Sequence, residues 1–183
     1  MTSSADKFDR PMLITIISLE LNEKPLDISD SWNVESPKSN IIESGVRYCI
    51  HRFSGVFGYN GPSHLNINNS IMNALNSKQL KLINNNNIKR NYIYVKDVAK
   101  IIYKTAIEEI KGIHIVAGKE IKTFKEMIID ITSTLNPTLL PEITRGVNSS
   151  INQIYKHSKD LPEPSNFIDC LNDIKIDFLK KWR

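Results

Sequence analysis

The sequence predicts an α/β architecture built around a parallel sheet. Two observations point to it. Short β-branched runs alternate along the chain with segments whose apolar residues recur at three and four positions. The first run, Met12-Leu13-Ile14-Thr15-Ile16-Ile17-Ser18, is also apolar at successive positions rather than at every second one. That is the pattern of a strand covered on both faces, as parallel strands usually are.

Residues 1–10 are polar and read as a loose start. Residues 22–40 are rich in Asn, Pro, Asp and Ser and read as a loop, with a short helix from near Ser39 that Gly45 would end. Val46 to Phe53 is the second strand, and Ser54 to Ser63 a glycine-rich loop. Leu65 to Asn76 places Leu65, Ile67, Ile71, Met72 and Leu75 at roughly helical spacing, although its asparagines are weak helix formers. Leu80 to Ile83 is a third strand, followed by the turn tract Asn84 to Asn87.

Tyr92 to Val95 is β-prone and leads into a helix over Asp97 to Glu109, with Asp97 as its cap and Gly112 as its stop. Ile113 to Val116 is a strand. Thr123-Phe124-Lys125-Glu126 has the form of a capping box and opens a helix that runs to Leu135 and stops before Pro137. Residues 136–166 read as irregular. The last helix, Phe167 to Trp182, would bury Phe167, Leu171, Ile174, Phe178 and Leu179.

Composition narrows the function class. A length of 183 residues suits one domain or one and a half. The net charge of +4 is carried by scattered lysines and falls short of a nucleic-acid-binding signature. Cys49 and Cys170 are the only cysteines, which argues against a disulfide scaffold and fits a reducing compartment. The four histidines are dispersed, so no metal site is suggested, and they read as surface or packing residues. Apolar runs are too short to span a bilayer, and the first residues lack the apolar core of a signal peptide. A cytoplasmic protein with no membrane or nucleic-acid partner is the expectation.

Three short patterns suggest chemistry. Gly55-Val56-Phe57-Gly58-Tyr59-Asn60-Gly61 is a GxxGxxG between a strand and a helix, where glycines can admit a dinucleotide pyrophosphate to a helix N-terminus. Pro62 directly after the third glycine, and Asn84 where a ribose-binding acid is wanted, favour a connecting loop instead. Tyr155-Lys156-His157-Ser158-Lys159 is a YxxSK that could pair a proton-donating tyrosine with a lysine, which would make a small reductase. Tyr92 to Lys96 has the same spacing but lies in a strand and corner, where i and i+4 do not share a face. Arg90 reads either as a solvated loop charge or as a forked ligand for an anion such as a phosphate.

The order of elements resembles the C-terminal part of the extended short-chain dehydrogenases, the NAD-dependent sugar-nucleotide epimerases and dehydratases. VRYCIHRFSGVFGY is similar to the strand and loop written "LRFxNVYGP" in that family. NNNNIKRNYIYVKDVAK is similar to "GDGxQxRDFIYVDDVA", and GIHIVAGKEIKTFKEM to "GxYNIGSGxxxSxxEl". PEPSNFIDCLNDIKIDFLKKW resembles the closing segment that ends in Trp, and LITIISLELNEKPLD the strand and loop of "vyiSSxxVYGxxPldE".

The resemblance implies a Rossmann-like parallel sheet over residues 11–64 and a smaller substrate-binding α/β part over 65–183. Arg90 then matches the arginine that binds the diphosphate of a sugar nucleotide. Gly55 stands where a substrate-contacting asparagine is usual, which moves that contact to Ser54 or Asn60. Asn91 replaces an aspartate, and Lys96 an acid or histidine. Ser18 falls near the family's serine or threonine, and Lys38 near its lysine, but no tyrosine precedes Tyr48. The glycine fingerprint of the cofactor-binding units has no counterpart.

The family's NAD(P) is therefore not an expected ligand of this chain. The expectation is a truncated or divergent member, related to nucleotide-sugar metabolism and not catalytic alone. The alternative is a binding or interaction module on the remnant fold. A sheet lacking its early strands would leave an edge open, which predicts pairing with a second copy or poor solubility.

Overall fold

The computed structural model describes residues 13–18, 48–83, 88–144 and 151–181. The helix expected near Ser39, the asparagine turn, and Lys38 lie outside these residues. The central sheet is parallel, in the order β1 (Leu13–Ser18), β2 (Tyr48–Phe53), β7 (Gly112–Val116). Every residue from Cys49 to Ser54 is buried. Cys49, His51 and Phe53 face one side and Ile50, Arg52 and Ser54 the other, so β2 is covered on both faces as its sequence predicts.

Three small strand pairs extend from this sheet. β3 (Val56–Phe57) lies parallel to β6 (Ile93–Tyr94), and β4 (Lys81–Ile83) parallel to β9 (Glu142–Thr144). β5 (Lys89–Arg90) runs antiparallel to β8 (Lys122–Thr123). Four helices complete the described fold: α1 (Asn66–Leu75), α2 (Val95–Ile107), α3 (Phe124–Leu135) and α4 (Phe167–Lys180). Ile67 and Ile71 of α1, Ile128 and Ile131 of α3, and Leu171 and Ile174 of α4 interlock in one core with Phe57 and Tyr94. A second, smaller cluster of Phe53, Ile93, Ile101, Val116 and Leu161 packs α2 against the central sheet.

The capping box of α3 forms as expected: Glu126 N–H donates to the Thr123 hydroxyl, and the Glu126 carboxylate accepts from Thr123 N–H at 2.6 Å. Four expectations are corrected. α2 starts at Val95, so Asp97 does not cap it. Asp97 is instead a buried carboxylate that accepts the Ser165 amide at 2.8 Å and the Ser165 hydroxyl at 3.0 Å, tying α2 to the segment that enters α4. That helix ends at Ile107 through Glu109 in the left-handed region (φ 51°), and Gly112 (φ 104°) opens β7 rather than closing the helix. β9 lies inside the stretch read as irregular. In α4, Phe178 is half-buried, with its ring edge-on to Tyr59, and Leu179 is exposed.

His51 gives the sheet a pH-dependent stability. It is fully buried, its Nε2 lies 3.0 Å from the Thr105 hydroxyl and 3.5 Å from Cys49 Sγ, and its ring stacks on Phe53. Burial, and then the neighbouring His114, lower its pKa from 6.5 to about 4. A lowered folded value means that the unfolded chain takes up the proton first. Stability is therefore present above pH 6.5 and lost as pH falls toward 4. Between pH 7 and pH 5 the expected loss from this group is about 2 kcal/mol. Urea melts across that range check it, and His51→Gln should flatten the slope.

Candidate functional site

The site region is built where one extended segment, residues 152–158, crosses the ends of β5 and β7. Its hydrogen bonds are ordered along the chain. Lys89 N–H donates to Asn152 Oδ1 at 2.8 Å, and Gln153 N–H donates to the Lys89 carbonyl at 3.0 Å. Arg90 and Gln153 form a parallel bridge, and Arg90 Nη1 donates to Gln153 Oε1 at 2.5 Å. Asn91 is buried and uses its whole carboxamide. Nδ2 donates to the carbonyls of Gly118 (3.0 Å) and Tyr155 (2.7 Å), and Oδ1 accepts Tyr155 N–H (3.0 Å).

Farther along, Ser158 N–H donates to the Ile115 carbonyl while its hydroxyl accepts Ile115 N–H, both at 2.9 Å. His157 accepts Ala117 N–H on Nδ1 and donates from Nε2 to the Pro162 carbonyl, and burial lowers its pKa. The crossing is close: a Cβ on Gly118 would lie 1.9 Å from the Tyr92 carbonyl oxygen, so only glycine admits the two backbones. An open groove of about 640 Å³ lies against the crossing, lined by Asn91, Gly118, Tyr155, Lys156 and Lys159 among others. The Lys119–Glu163 ion pair (2.8 Å) stands at its rim.

Arg90 thus occupies a middle strand, between β8 and the 152–158 segment, and is half-buried rather than a solvated loop charge. Among the described residues no carboxylate pairs with it. Lys122, its neighbour across β5–β8, is neutralised by Glu120 (2.8 Å) and Asp130 (2.9 Å). Glu120 also accepts Phe167 N–H, so these charges serve the start of α4.

The remaining sequence candidates fall in different surroundings. Ser54 and Gly55 are buried at the carboxyl end of β2, the end where parallel sheets commonly bind ligands. The Ser54 hydroxyl has no hydrogen-bond partner among the described residues. The Gly55 carbonyl accepts Ile93 N–H at 2.9 Å, which sets Gly55 beside the strand that follows Arg90. Asn60 is exposed in a left-handed turn (φ 55°). Ser18 ends β1, opposite Phe53. Sequence reasoning missed Arg52, which is buried on the same face of β2 as Ser54. An arginine between His51 and Phe53, inside a predicted strand, was the available signal.

Two of the motifs do not assemble. Gly58 and Gly61 leave room for side chains of the protein itself. A Cβ at Gly58 would meet Val95, and one at Gly61 would meet the Asn68 carboxamide, each at 2.5 Å. Asn68 Oδ1 in turn accepts Gly58 N–H at 3.1 Å. The glycine loop is thus filled by Asn68 of α1 and Val95 of α2 and does not fit a dinucleotide pyrophosphate. Tyr155 and Lys159 lie on the extended segment, not on a helix, so the one-turn pairing needed for a tyrosine–lysine proton donor is not formed. No group of metal-binding side chains occurs among the described residues, and no described helix is long and apolar enough to cross a membrane.

Residues 39–118 match the family model described as "NAD dependent epimerase/dehydratase family". No curated protein matches the chain. Among solved structures, UDP-N-acetylglucosamine 4-epimerase from Bacillus cereus superposes with a TM-score of 0.67 at 21% identity, over 78% of this chain and 52% of that one. UDP-glucose 4-epimerase from Thermus thermophilus, solved with NAD, gives 0.68 at 14% identity, over 93% and 64%. The dTDP-glucose 4,6-dehydratase from Bacillus anthracis, also with NAD, gives 0.67 at 17%, over 93% and 62%. The chain spans between about half and two thirds of the length of these proteins. Residues 39–118 thus resemble the NAD-dependent epimerase/dehydratase family in sequence, and the fold resembles part of that of sugar-nucleotide epimerases and dehydratases.

Proposed function

We propose that this chain recognises the diphosphate of a nucleotide sugar through Arg90, and that the described residues do not carry out hydride chemistry by themselves. One observation carries the reading: Arg90 is half-buried on a paired strand, with no carboxylate partner among the described residues. A guanidinium has five N–H donors, and Gln153 Oε1 takes one of them. The rest suit a forked contact with two phosphate oxygens. Ser54 supports the same side of the fold, since it brings an unpartnered hydroxyl to the end of β2. We assign Ser54, Gly55 and Asn60 to the sugar end of such a ligand, with residues 65–183 as the substrate-binding part.

The structural relatives support the ligand class, because their names specify UDP- and dTDP-sugars. The second half of the proposal rests on the filled glycine loop and on the extended setting of Tyr155 and Lys159. Calorimetry with UDP-, GDP- and dTDP-sugars tests the site. Arg90→Ala is expected to weaken binding by about tenfold to a hundredfold, the worth of a charge-assisted hydrogen bond or pair. Absence of binding at millimolar ligand, or binding indifferent to Arg90→Ala, would remove the assignment.

A further inference from the structure

We propose that Gln153 is a positioning residue for Arg90: it fixes the guanidinium by a neutral acceptor and so leaves the full positive charge for an anionic ligand. This rests on the diphosphate reading of Arg90. The bond is short, at 2.5 Å between Arg90 Nη1 and Gln153 Oε1. It is also held by backbone on both sides. Gln153 N–H donates to the Lys89 carbonyl, Lys89 N–H donates to Asn152, and the Asn91 carboxamide closes on Tyr155 two residues later. The backbone that carries Gln153 is therefore held beside Arg90.

The choice of acceptor has a consequence for charge. Arginines on protein surfaces commonly lean on a carboxylate, which orients them but cancels their charge. A glutamine orients without cancelling. Two nearby lysines are paired with carboxylates: Lys122 with Glu120 and Asp130, and Lys119 with Glu163. Arg90 differs from both: among the described residues its side-chain partner is Gln153, which is neutral. Holding the long side chain in advance also removes part of the ordering cost of binding.

Three variants of the full chain, titrated with UDP by calorimetry, separate the possibilities. Gln153→Ala is expected to weaken UDP binding about tenfold. Gln153→Glu keeps the acceptor but pairs the charge, and is expected to weaken it further than Gln153→Ala while leaving the melting temperature unchanged or higher. A merely structural role predicts the opposite order, with Gln153→Glu close to wild type. If Arg90→Ala loses UDP binding and both Gln153 variants bind as wild type, the positioning role is overturned and the diphosphate site stands. Should Arg90→Ala bind as wild type, the site assignment fails instead. The unliganded protein gives an independent readout. Side-chain ¹⁵N relaxation at Arg90 Nε should report a rigid guanidinium that becomes mobile in Gln153→Ala, and an unchanged order parameter would overturn the proposal without reference to any ligand.

Discussion

Gly118→Ala is expected to lower the unfolding free energy by about 3 kcal/mol or more, the largest effect of any single methyl in the described structure. The added Cβ would sit 1.9 Å from the Tyr92 carbonyl oxygen and 2.8 Å from its carbon. Both are backbone atoms, so no rotamer change relieves the contact, and one of the two chains must move. The Tyr92 end is pinned because Ile93 N–H donates to Gly55 across β3–β6. At Gly118, the carbonyl is held by Asn91 Nδ2. A shift therefore breaks hydrogen bonds on whichever side yields. Urea denaturation reads the loss directly. A midpoint within experimental error of wild type would show that the crossing is looser than these distances allow.

Asn91→Asp is the second large effect, and it is one that residue type alone would not suggest. The related family motif carries an aspartate at this place, so the substitution restores the usual residue. Here, however, Nδ2 donates to two carbonyl oxygens, of Gly118 and Tyr155. A carboxylate would present a second oxygen to both, buried and without a donor. We expect a loss of about 3 kcal/mol at pH 7. The sign with pH follows from the neighbours. Two facing carbonyls and burial raise the folded pKa of the new carboxyl above its unfolded value, so the penalty is full at high pH. It should shrink as pH falls through the folded pKa, because the protonated acid can donate to one carbonyl. Urea melts of the variant at pH 7 and pH 5, compared with wild type, test this. A variant as stable as wild type at pH 7 would mean that the carboxamide is oriented the other way round.

The period of the apolar residues made most elements legible in the sequence. α1, α3 and the start of α4 lie close to their predicted bounds, because each buries one stripe against the others. The capping box of α3 needed only local information, since both partners lie within four residues. Long-range partners were not legible. Asp97 has the right chemistry for a helix cap, yet it serves Ser165, 68 positions away. β9 is three residues long and exists because Glu142 N–H donates to the Leu80 carbonyl and the strand adds to β4. Nothing in Glu142-Ile143-Thr144 alone announces that. At the site, Arg90 was visible through a family resemblance. Gln153, which orients it, carries no motif and lies in a stretch with no periodicity. The glycine loop failed for a related reason: a pattern of glycines shows where room is made, but not whether a ligand or, as here, Asn68 takes it.

The 152–158 segment also bears on the order in which the molecule can be completed. Its partners at residues 89–91 and 115–117 precede it by 40 to 64 positions. Such contacts close large loops and form late relative to helices, so a nascent chain would display Arg90 before it has any means of holding it. In the finished protein the same segment has few buried apolar side chains and is held mainly by polar contacts. It should therefore detach as a unit, at a lower free energy than the helical core, with Gln153, Tyr155 and Ser158 amides exchanging together in deuterated water. The anion site would then have its own melting transition, beneath that of the scaffold that carries it.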